Sequence, residues 1–498
     1  MRVTEDTQSA RPSLHSPRPA PRGHHSATAG QSARVAARPR STAPSAADLP
    51  ARRRSPAPPS VRGLIPAAVL LVAGLSAASP ADGQEARRRW ERMCQIRAEK
   101  FDLVLPGAMQ DNDLDMWIVV MREGLLDPLW EALGRGYVGD WAYYVFTSPG
   151  DGGRVERAAL GVGGYMLEQC GVYDHFGSAA SLADYVAERS PDRIGVNMAA
   201  SIGGADGLSH TSYLHLQETL GPTYGERLVS AERFVSDFRA TRTAMEIAAF
   251  AEAGEISREI AERAFSNEVI EPGVTALEDV AWWIWDRLLE RGLESSFDMP
   301  SIYITGPEGI EATSSARIIQ RGDLLMIDWG VGYLDFYTDM KRIAYVLREG
   351  ETEAPPGLQR AFDRGVEVRD VMKAAIKPAA TAREALDATW AAIEAAGFNR
   401  IEFNQPTDDP AVTDVVIGPH SVGNWGHGIG PSLAFFNPTR QTYELRPGTL
   451  ISVELFAYTA NPEWDNAKVR IPLEDDAVVT ERGVEWLYPA NNRILLVR

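Results

Sequence analysis

The sequence predicts two consecutive folded domains, an α/β domain over residues 90–235 and an α+β domain over residues 236–498. Three observations support this fold class. Short apolar segments alternate with helical segments in the first region, as in α/β domains. Near residue 235 the sequence changes to long amphipathic helices rich in Ala and Glu. The last hundred residues return to strand-like segments separated by glycine-rich turns.

The N-terminal residues differ from both domains in composition. Residues 1–63 are rich in Pro, Ala, Ser and Arg and lack apolar periodicity, so we expect a disordered basic leader. Residues 64–83 contain an apolar run that follows arginines and ends in small residues, which is typical of a signal peptide and its cleavage zone. The sequence therefore predicts a secreted or periplasmic protein without a stable membrane span after cleavage. A membrane-anchored protein is the alternative if this segment is not cleaved.

Charge is distributed unevenly along the chain. Residues 1–89 contain 14 Lys and Arg against 5 Asp and Glu, while the whole chain carries −18, so the remainder carries −27. An acidic body of this kind lacks the basic surface that nucleic-acid binding requires. We therefore expect no nucleic-acid partner.

Short apolar segments define the α/β region. The predicted strands are Leu114–Met121, Trp141–Thr147, Ala158–Gly161 and Arg193–Asn197, and the predicted helix is Ala179–Arg189. No glycine-rich phosphate-binding loop accompanies them. The two cysteines of the chain, Cys94 and Cys170, either pair in an exported protein or remain separate buried thiols, and their spacing leaves both open.

Helices and a hairpin open the α+β region. The predicted helices are Asp237–Phe265, Ala276–Arg291, Gly357–Lys377 and Thr381–Ala396. Between the second and third, a buried strand ends at Asp328 and a returning strand begins at Phe336. A hairpin symmetric about residues 333–334 would place Asp328 opposite Asp339, at roughly 5 Å. Two adjacent carboxylates repel each other unless a cation lies between them.

Five residues of this region are candidate metal ligands: Asp328, Asp339, His427, Glu454 and Glu474. Each alone has an ordinary explanation, such as a solvated hairpin or turn carboxylate or a buried structural imidazole. Together, four carboxylates and one imidazole suit two divalent ions roughly 3.5–4 Å apart, which activate water for hydrolysis. Oxygen-rich ligands favour Mn²⁺, and Co²⁺, Zn²⁺ or Fe²⁺ are compatible with the same set.

The order and spacing of these residues resemble the M24 metallopeptidases. The shared pattern is Asp-x-Gly with a second Asp eleven residues later, Gly-His-x-x-Gly, a strand Glu, and Arg-Ile followed by Glu-Asp-Asp. It extends over residues 240–498, and residues 237–247 resemble the entry to this domain in the creatinase branch. The resemblance implies a creatinase-like α/β N-terminal domain and an α+β pita-bread C-terminal catalytic domain. Two domains and export favour an Xaa-Pro aminopeptidase or Xaa-Pro dipeptidase over methionine aminopeptidase.

The resemblance also implies a role for each candidate residue. Asp328 and Asp339 would bind one ion, with Asp339 bridging to the second. His427 and Glu454 would complete the shell of the other ion, and Glu474 would also bridge. Glu454 would in addition be the general base toward the attacking water.

Two family positions hold other residues in this chain. The family carries a His about seventeen residues before the first Asp, where this chain has Glu311 and Ala312. It carries another His seven residues after the ligand His, where this chain has Ala434. Those histidines contact substrate in the family. We expect His420 to make such a contact here, and a histidine on a loop surface is the alternative.

The sequence thus predicts a dinuclear, metal-dependent exopeptidase that acts on peptides, releases an N-terminal residue at Xaa-Pro bonds and forms a homodimer. Two alternatives stay open. One is a metal-dependent hydrolase or lyase that acts on a small non-peptide substrate with the same fold. The other is a non-catalytic, degenerate peptidase that retains its metals.

Overall fold

A six-stranded mixed sheet organises the first half of the protein. The computed structural model describes residues 84–150, 152–403, 405–423 and 427–498, so the expected leader and signal segment lie outside the described residues. The elements of this half are α1 (Glu85–Leu103), α2 (Leu105–Asp111), β1 (Met116–Met121), α3 (Trp130–Leu133), β2 (Tyr137–Thr147), β3 (Glu156–Gly163), α4 (Tyr165–Cys170), β4 (His175–Gly177), α5 (Leu182–Arg189), β5 (Ile194–Val196), α6 (His210–Gly225), β6 (Leu228–Ser230) and α7 (Glu232–Ala240). The strand order is β4-β3-β2-β1-β5-β6, in which β1 pairs antiparallel with β2 and parallel with β5.

The strands expected in this half are confirmed, with ends displaced by a few residues. Strand β1 is buried along its whole length because both faces of the sheet are covered. Trp117 packs with Phe146 and Phe234 on one face, and Ile118 packs with Val145 on the other. A strand covered on both faces has no solvent-facing side chains, so its sequence is a continuous run of apolar residues. The domain boundary near residue 235 stays a prediction.

A disulfide joins Cys94 in α1 to Cys170 at the end of α4. Arg97, also in α1, contacts this disulfide: its Nη1 donates to the Cys170 Sγ at 3.3 Å. Arg97 Nε and Nη2 donate to the carbonyl oxygens of Ala132 and Glu131, each at 2.9 Å. The guanidinium and the disulfide therefore tie α1 to both α3 and α4, and the cysteine pairing that the sequence leaves open is present.

Removing this disulfide should destabilise the protein substantially. The bond closes a loop with a sequence separation of 76 residues, and losing such a cross-link costs about 2–5 kcal/mol, mainly by freeing the unfolded chain. We expect the Cys94→Ser, Cys170→Ser double variant to unfold at a lower urea concentration than the parent. The control is the parent protein with a reducing agent, which should match the variant. Equal midpoints for the oxidised parent and the variant would contradict a stabilising role.

Four further sheets and four helices build the second half. The elements are α8 (Ala244–Ala264), α9 (Leu277–Arg291), β7 (Glu294–Ser295), β8 (Ser301–Gly306), β9 (Gly309–Glu311), β10 (Leu324–Trp329), β11 (Val331–Tyr333), β12 (Phe336–Tyr337), β13 (Met340–Val346), α10 (Pro356–Ala375), α11 (Ala382–Ala395), β14 (Asn399–Arg400), β15 (Asp414–Ile417), β16 (His420–Ser421), β17 (Leu450–Ser452), β18 (Leu455–Ala460), β19 (Lys468–Leu473), β20 (Asp476–Thr480), β21 (Gly483–Trp486) and β22 (Leu495–Val497). Their strand orders are β22-β13-β10-β8-β9, β12-β11-β7, β14-β15-β18-β19 and β16-β17-β20-β21.

The expected single helix over Asp237–Phe265 is wrong, because the chain leaves the helical conformation between α7 and α8. Thr243 is extended and caps α8: its hydroxyl accepts from the Glu246 backbone N–H at 3.3 Å. In return, the Glu246 carboxylate accepts from the Thr243 backbone N–H at 2.9 Å. This reciprocal pair is a capping box, and its Thr-x-x-Glu pattern is the signal in the sequence that marks the new helix start.

The hairpin between β10 and β13 has a different register from the expected one. The turn is centred on Leu334 and Asp335, with φ of +53° and +61°, so Tyr333 pairs with Phe336. Two left-handed central residues are typical of a two-residue hairpin turn. The expected turn lay one residue earlier. As a result Asp328 faces Lys341 across the strands, not Asp339.

Candidate metal centre

All five candidate ligands converge in the second half of the protein. Asp328 lies on β10, Asp339 immediately precedes β13, Glu454 lies between β17 and β18, Glu474 lies between β19 and β20, and His427 follows a short stretch outside the described residues. The structure places them, together with His420, in three overlapping groups. Within each group the ligand atoms lie within 4.8 Å of one another. Strand ends from three different sheets thus supply one cluster.

His420 lies among the carboxylates and is fully buried. Its Nε2 is 3.5 Å from Glu474 Oε1 and 3.9 Å from both Asp339 Oδ2 and Glu454 Oε2. Its Nδ1 is 3.2 Å from the Ser421 carbonyl oxygen, an arrangement in which Nδ1–H donates and Nε2 keeps a free lone pair. A histidine oriented in this way is suited to bind a cation. The sequence assigns His420 to substrate contact, and this role stays a prediction.

His427 occupies the solvent side of the same cluster. Its ring centre is 4.8 Å from that of His420 and 5.9 Å from that of Phe436. Partial burial, with His420 adding to it, lowers the pKa of His427 to about 4. The ring is therefore neutral at pH 7 and can donate or accept a hydrogen bond in the cavity.

Lys341 lies in the centre and was not predicted from the sequence. Its Nζ lies 2.9 Å from Glu454 Oε1 and 3.2 Å from Asp328 Oδ2, and it also contacts Glu474 Oε2. Its side chain is only 4% exposed. A lysine in the otherwise buried strand β13 was a signal available in the sequence, because lysine is rarely buried without a partner.

Burial and mutual charge together set the pKa values of the cluster. Burial raises the pKa of Asp339 well above its usual range, and the nearby Glu474 and Asp328 carboxylates raise it further. Burial opposes ionisation of Glu474 as well, but Lys341 and His420 lower its pKa to about 2. Burial lowers the pKa of Lys341, yet the surrounding carboxylates outweigh it and hold this pKa well above its usual value. The carboxyl groups of the cluster thus need nearby positive charge in order to ionise together.

The acidic triplet at residues 474–476 is fully buried, so the solvated turn considered for it is wrong. Asp475 Oδ1 accepts from Arg342 Nη1 at 2.8 Å, and its Oδ2 accepts from the Asn491 backbone N–H at 2.8 Å. Asp476 Oδ2 accepts from the backbone N–H of Asp339 at 3.1 Å and from the Tyr488 hydroxyl at 3.0 Å. Two members of the triplet therefore brace the strands that carry the centre.

The donor set fits a divalent cation. Asp339 Oδ1 is buried without a hydrogen-bond partner among the described residues, and such an atom needs a partner that the protein alone does not supply. Carboxylates with imidazole suit Mn²⁺, Co²⁺, Fe²⁺ or Zn²⁺. A cavity of about 550 Å³ opens above the cluster and is lined on its other side by Phe297, Asp298 and Met299. This volume is in the range of small-molecule and peptide-end sites.

The site lies in a part of the chain that matches a metallopeptidase family. Residues 248–481, which include every residue of the centre, match the metallopeptidase family M24. A curated relative is the uncharacterized peptidase YqhT of Bacillus subtilis (strain 168), 27% identical over 270 residues. That match covers 51% of this chain and 64% of the relative, so it spans less than two thirds of the relative's length.

Solved structures share the fold of both domains. The Xaa-Pro dipeptidase from Bacillus anthracis is 20% identical with a TM-score of 0.54, covering 81% of this chain and 99% of its own. The X-Pro aminopeptidase from Thermotoga maritima MSB8 is 17% identical with a TM-score of 0.56, covering 77% and 98%. The expected fold class is confirmed: a creatinase-like α/β domain followed by an α+β pita-bread domain.

Proposed function

We propose that the protein is a metal-dependent exopeptidase that releases the N-terminal residue of peptides, with a preference for Xaa-Pro bonds. One observation carries this proposal: the carboxylates and imidazoles of the cluster form the floor of a solvent-accessible cavity of about 550 Å³. The solved structures of the same fold include an Xaa-Pro dipeptidase and an X-Pro aminopeptidase, which supports the same substrate class.

The cation would be held by Asp339, His420, Glu454 and Glu474. A divalent ion at these donors would polarise the scissile carbonyl and the attacking water. The sequence predicts two such ions. Lys341 lies among their expected ligands, and its position affects how many ions the site can hold. We expect Mn²⁺ to support activity, with Co²⁺, Zn²⁺ or Fe²⁺ as alternatives.

Glu454 is the residue best placed to take the proton of the attacking water. Its side chain is 12% exposed and lines the cavity. Burial raises its pKa, while Lys341 opposes this rise, and a carboxylate with a raised pKa is a better general base near neutral pH. Glu454 therefore combines access to the cavity with a position beside the other proposed ligands of the cation.

The two histidines are best assigned in the reverse order from the sequence-based expectation. The family places a second His seven residues after the ligand His, and His427 lies seven residues after His420. Both histidines line the cavity, but His420 is buried among the carboxylates, whereas His427 is exposed and neutral. We therefore assign His420 to the cation and His427 to a hydrogen bond with the substrate. With this assignment, Ala434 no longer marks a missing histidine.

Exposed aromatic side chains beside the cluster support an apolar residue at the cleavage point. Phe435 and Phe436 are 54% and 42% exposed, and the Phe436 ring centre is 5.9 Å from those of both histidines. An apolar ring such as proline gains from contact with such faces. A small non-peptide substrate is the second candidate, favoured by the presence of Lys341 among the carboxylates, which changes the charge of the cavity floor.

Metal removal with paired peptides tests the proposed function. We expect the purified protein to release the first residue from an Xaa-Pro peptide faster than from the matched Xaa-Ala peptide. Chelation followed by desalting should lower the rate by at least about 100-fold, because carbonyl polarisation is lost, and added Mn²⁺ should restore it. Mass spectrometry of the released residue measures each rate. Undiminished cleavage by metal-free protein would contradict the proposal, and cleavage of neither peptide would favour the non-peptide candidate.

Export and a homodimeric state belong to the same proposal. The Cys94–Cys170 disulfide supports an oxidising compartment, because such bonds persist in secreted and periplasmic proteins. Within the described ranges, no helix combines the length and apolar character needed to cross a membrane. We expect the full chain to be processed near residues 64–83 and to elute as a dimer in gel filtration.

A further inference from the structure

Lys341 occupies the middle of the ligand set that the sequence assigns to two cations. Its ammonium is 2.9 Å from Glu454 Oε1 and 3.2 Å from Asp328 Oδ2, and it also contacts Glu474 Oε2. The strand register places it there, because Lys341 on β13 lies directly opposite Asp328 on β10. Directly paired residues share one face of a sheet, so the side chain points toward these carboxylates.

Glu454 and Glu474 each direct one carboxylate oxygen to Lys341 and the other toward His420. Glu454 directs Oε1 to the ammonium, while its Oε2 is 3.9 Å from His420 Nε2. Glu474 directs Oε2 to the ammonium, while its Oε1 is 3.5 Å from the same nitrogen. Each carboxylate therefore spans two positions that attract its charge, as a carboxylate does when it bridges two cations. The ammonium fills one of these positions.

The remaining donor atoms share His420 as a neighbour. His420 Nε2 lies 3.5–3.9 Å from Asp339 Oδ2, Glu454 Oε2 and Glu474 Oε1. Ligands about 2.1 Å from a shared tetrahedral ion are about 3.4 Å apart, so the spacing of each oxygen from His420 Nε2 suits a shared ion after slight contraction. The second oxygen of the Asp339 carboxylate, Oδ1, has no hydrogen-bond partner in the described part of the chain.

The position of the Lys341 ammonium, more than the total charge, disfavours a second ion. Four carboxylates bring four negative charges, and Lys341 brings one positive charge at 4% exposure. With all four carboxylates ionised these charges sum to −3, so one divalent ion would leave −1 and two would leave +1. A second ion would, however, have to use Asp328 and the oxygens that already contact the ammonium, and would lie close to its positive charge. In a buried site, repulsion between such close like charges is poorly screened.

We propose that the Lys341 ammonium replaces one of the two cations expected from the sequence, and that the centre holds a single divalent ion at Asp339, His420, Glu454 and Glu474. This inference rests on the proposed function for the identity of the cation ligands, but the number of ions does not depend on peptide cleavage. It changes the expected cofactor from two ions to one.

Counting ions in the full-length protein tests the inference. The parent and its variants are equilibrated with excess Mn²⁺, desalted, and measured by native mass spectrometry and elemental analysis. We expect one ion per chain in the parent and two in Lys341→Thr, which removes the ammonium and leaves space. Lys341→Met removes the charge but fills the space, so it should bind one. Two ions in the parent, none in the parent, or one in folded Lys341→Thr would overturn the inference.

Lys468→Met is the matched control for the loss of a buried lysine. Lys468 has 6% side-chain exposure and pairs with Asp414 instead of the candidate ligands. We expect this variant to keep one ion per chain. A second ion in Lys468→Met would show that the gain in Lys341→Thr is not specific, and it would also overturn the inference.

A second pair of variants keeps the test decisive if Lys341→Thr does not fold. Asp328 contacts the ammonium, so Asp328→Asn in a chain that retains Lys341 should still bind one ion. Asp339→Asn should bind it at least about tenfold more weakly, because it loses a direct ligand. Loss of the ion in Asp328→Asn with retention in Asp339→Asn would contradict the assignment. One bound ion without peptide cleavage would sink the proposed function and leave this inference standing.

Discussion

Replacing Glu454 by Gln should lower kcat at least about 1,000-fold. The substitution removes the proposed general base, and such a base alone contributes roughly 100- to 10,000-fold; it also weakens a proposed ligand of the cation. It also removes a carboxylate oxygen that lies 2.9 Å from the Lys341 ammonium. Steady-state kinetics on an Xaa-Pro peptide measure the effect. The ion content of the same preparation shows whether the ligand or the base is the larger loss.

Glu351→Gln is a suitable control for this variant. Glu351 accepts hydrogen bonds from the Tyr345 hydroxyl at 2.9 Å and from the Arg348 backbone N–H at 2.7 Å, and it is not among the residues that line the cavity. We expect its kcat to stay within about twofold of the parent, as for a change remote from the reacting groups. If Glu454→Gln kept more than a tenth of kcat with a full ion content, Glu454 would not be the base.

Replacing Gly330 by Ala should cost about 3 kcal/mol or more of unfolding free energy. A Cβ at this position would lie 1.8 Å from the Thr338 carbonyl oxygen and 2.6 Å from Ser296 Oγ. Neither can move easily: Ser296 Oγ donates to that carbonyl at 2.7 Å, and the Thr338 hydroxyl lies 2.6 Å from that of Ser257. Because Thr338 precedes Asp339, the same displacement should weaken cation binding. Urea unfolding and ion counting measure the two effects.

Gly306→Ala provides the comparison for Gly330→Ala. Gly306 ends β8, in the sheet that also contains β10, and a Cβ there would meet nothing within 4 Å. We expect its unfolding free energy to change by less than about 0.5 kcal/mol, as for an ordinary surface substitution. If Gly330→Ala were as stable as Gly306→Ala, the strand beside Asp339 could shift without a loss of unfolding free energy, and the prediction would be wrong. The clash also explains why the Asp-x-Gly pattern contains glycine.

The sequence was most informative where one physical rule acted alone. Buried strands such as β1 read as apolar runs, and helices α9, α10 and α11 end within two residues of their expected ends. The convergence of Asp328, Asp339, His427, Glu454 and Glu474 was also anticipated, because carboxylates inside apolar strands are costly without a partner. Their roles as ligands stay predictions.

The errors arose where neighbouring rules compete. The helix break before Ala244 depends on a capping box, and helical periodicity alone does not reveal it. The hairpin register depends on the turn position, and a turn displaced by one residue exchanges the partner of Asp328 from Asp339 to Lys341. Because the expected register paired Asp328 with Asp339, it did not place Lys341 in the site. The position of His420 depends on the pairing of β16 with β17, which local sequence does not specify.

The candidate ligands are spread from Asp328 to Glu474, and they come from separate segments of the chain. No short fragment of the chain can therefore assemble the site, and a partly folded chain should retain no tightly held ion. The bound cation content of a recombinant batch thus measures the fraction of molecules that have folded correctly. It offers a quality check that needs neither a substrate nor an antibody.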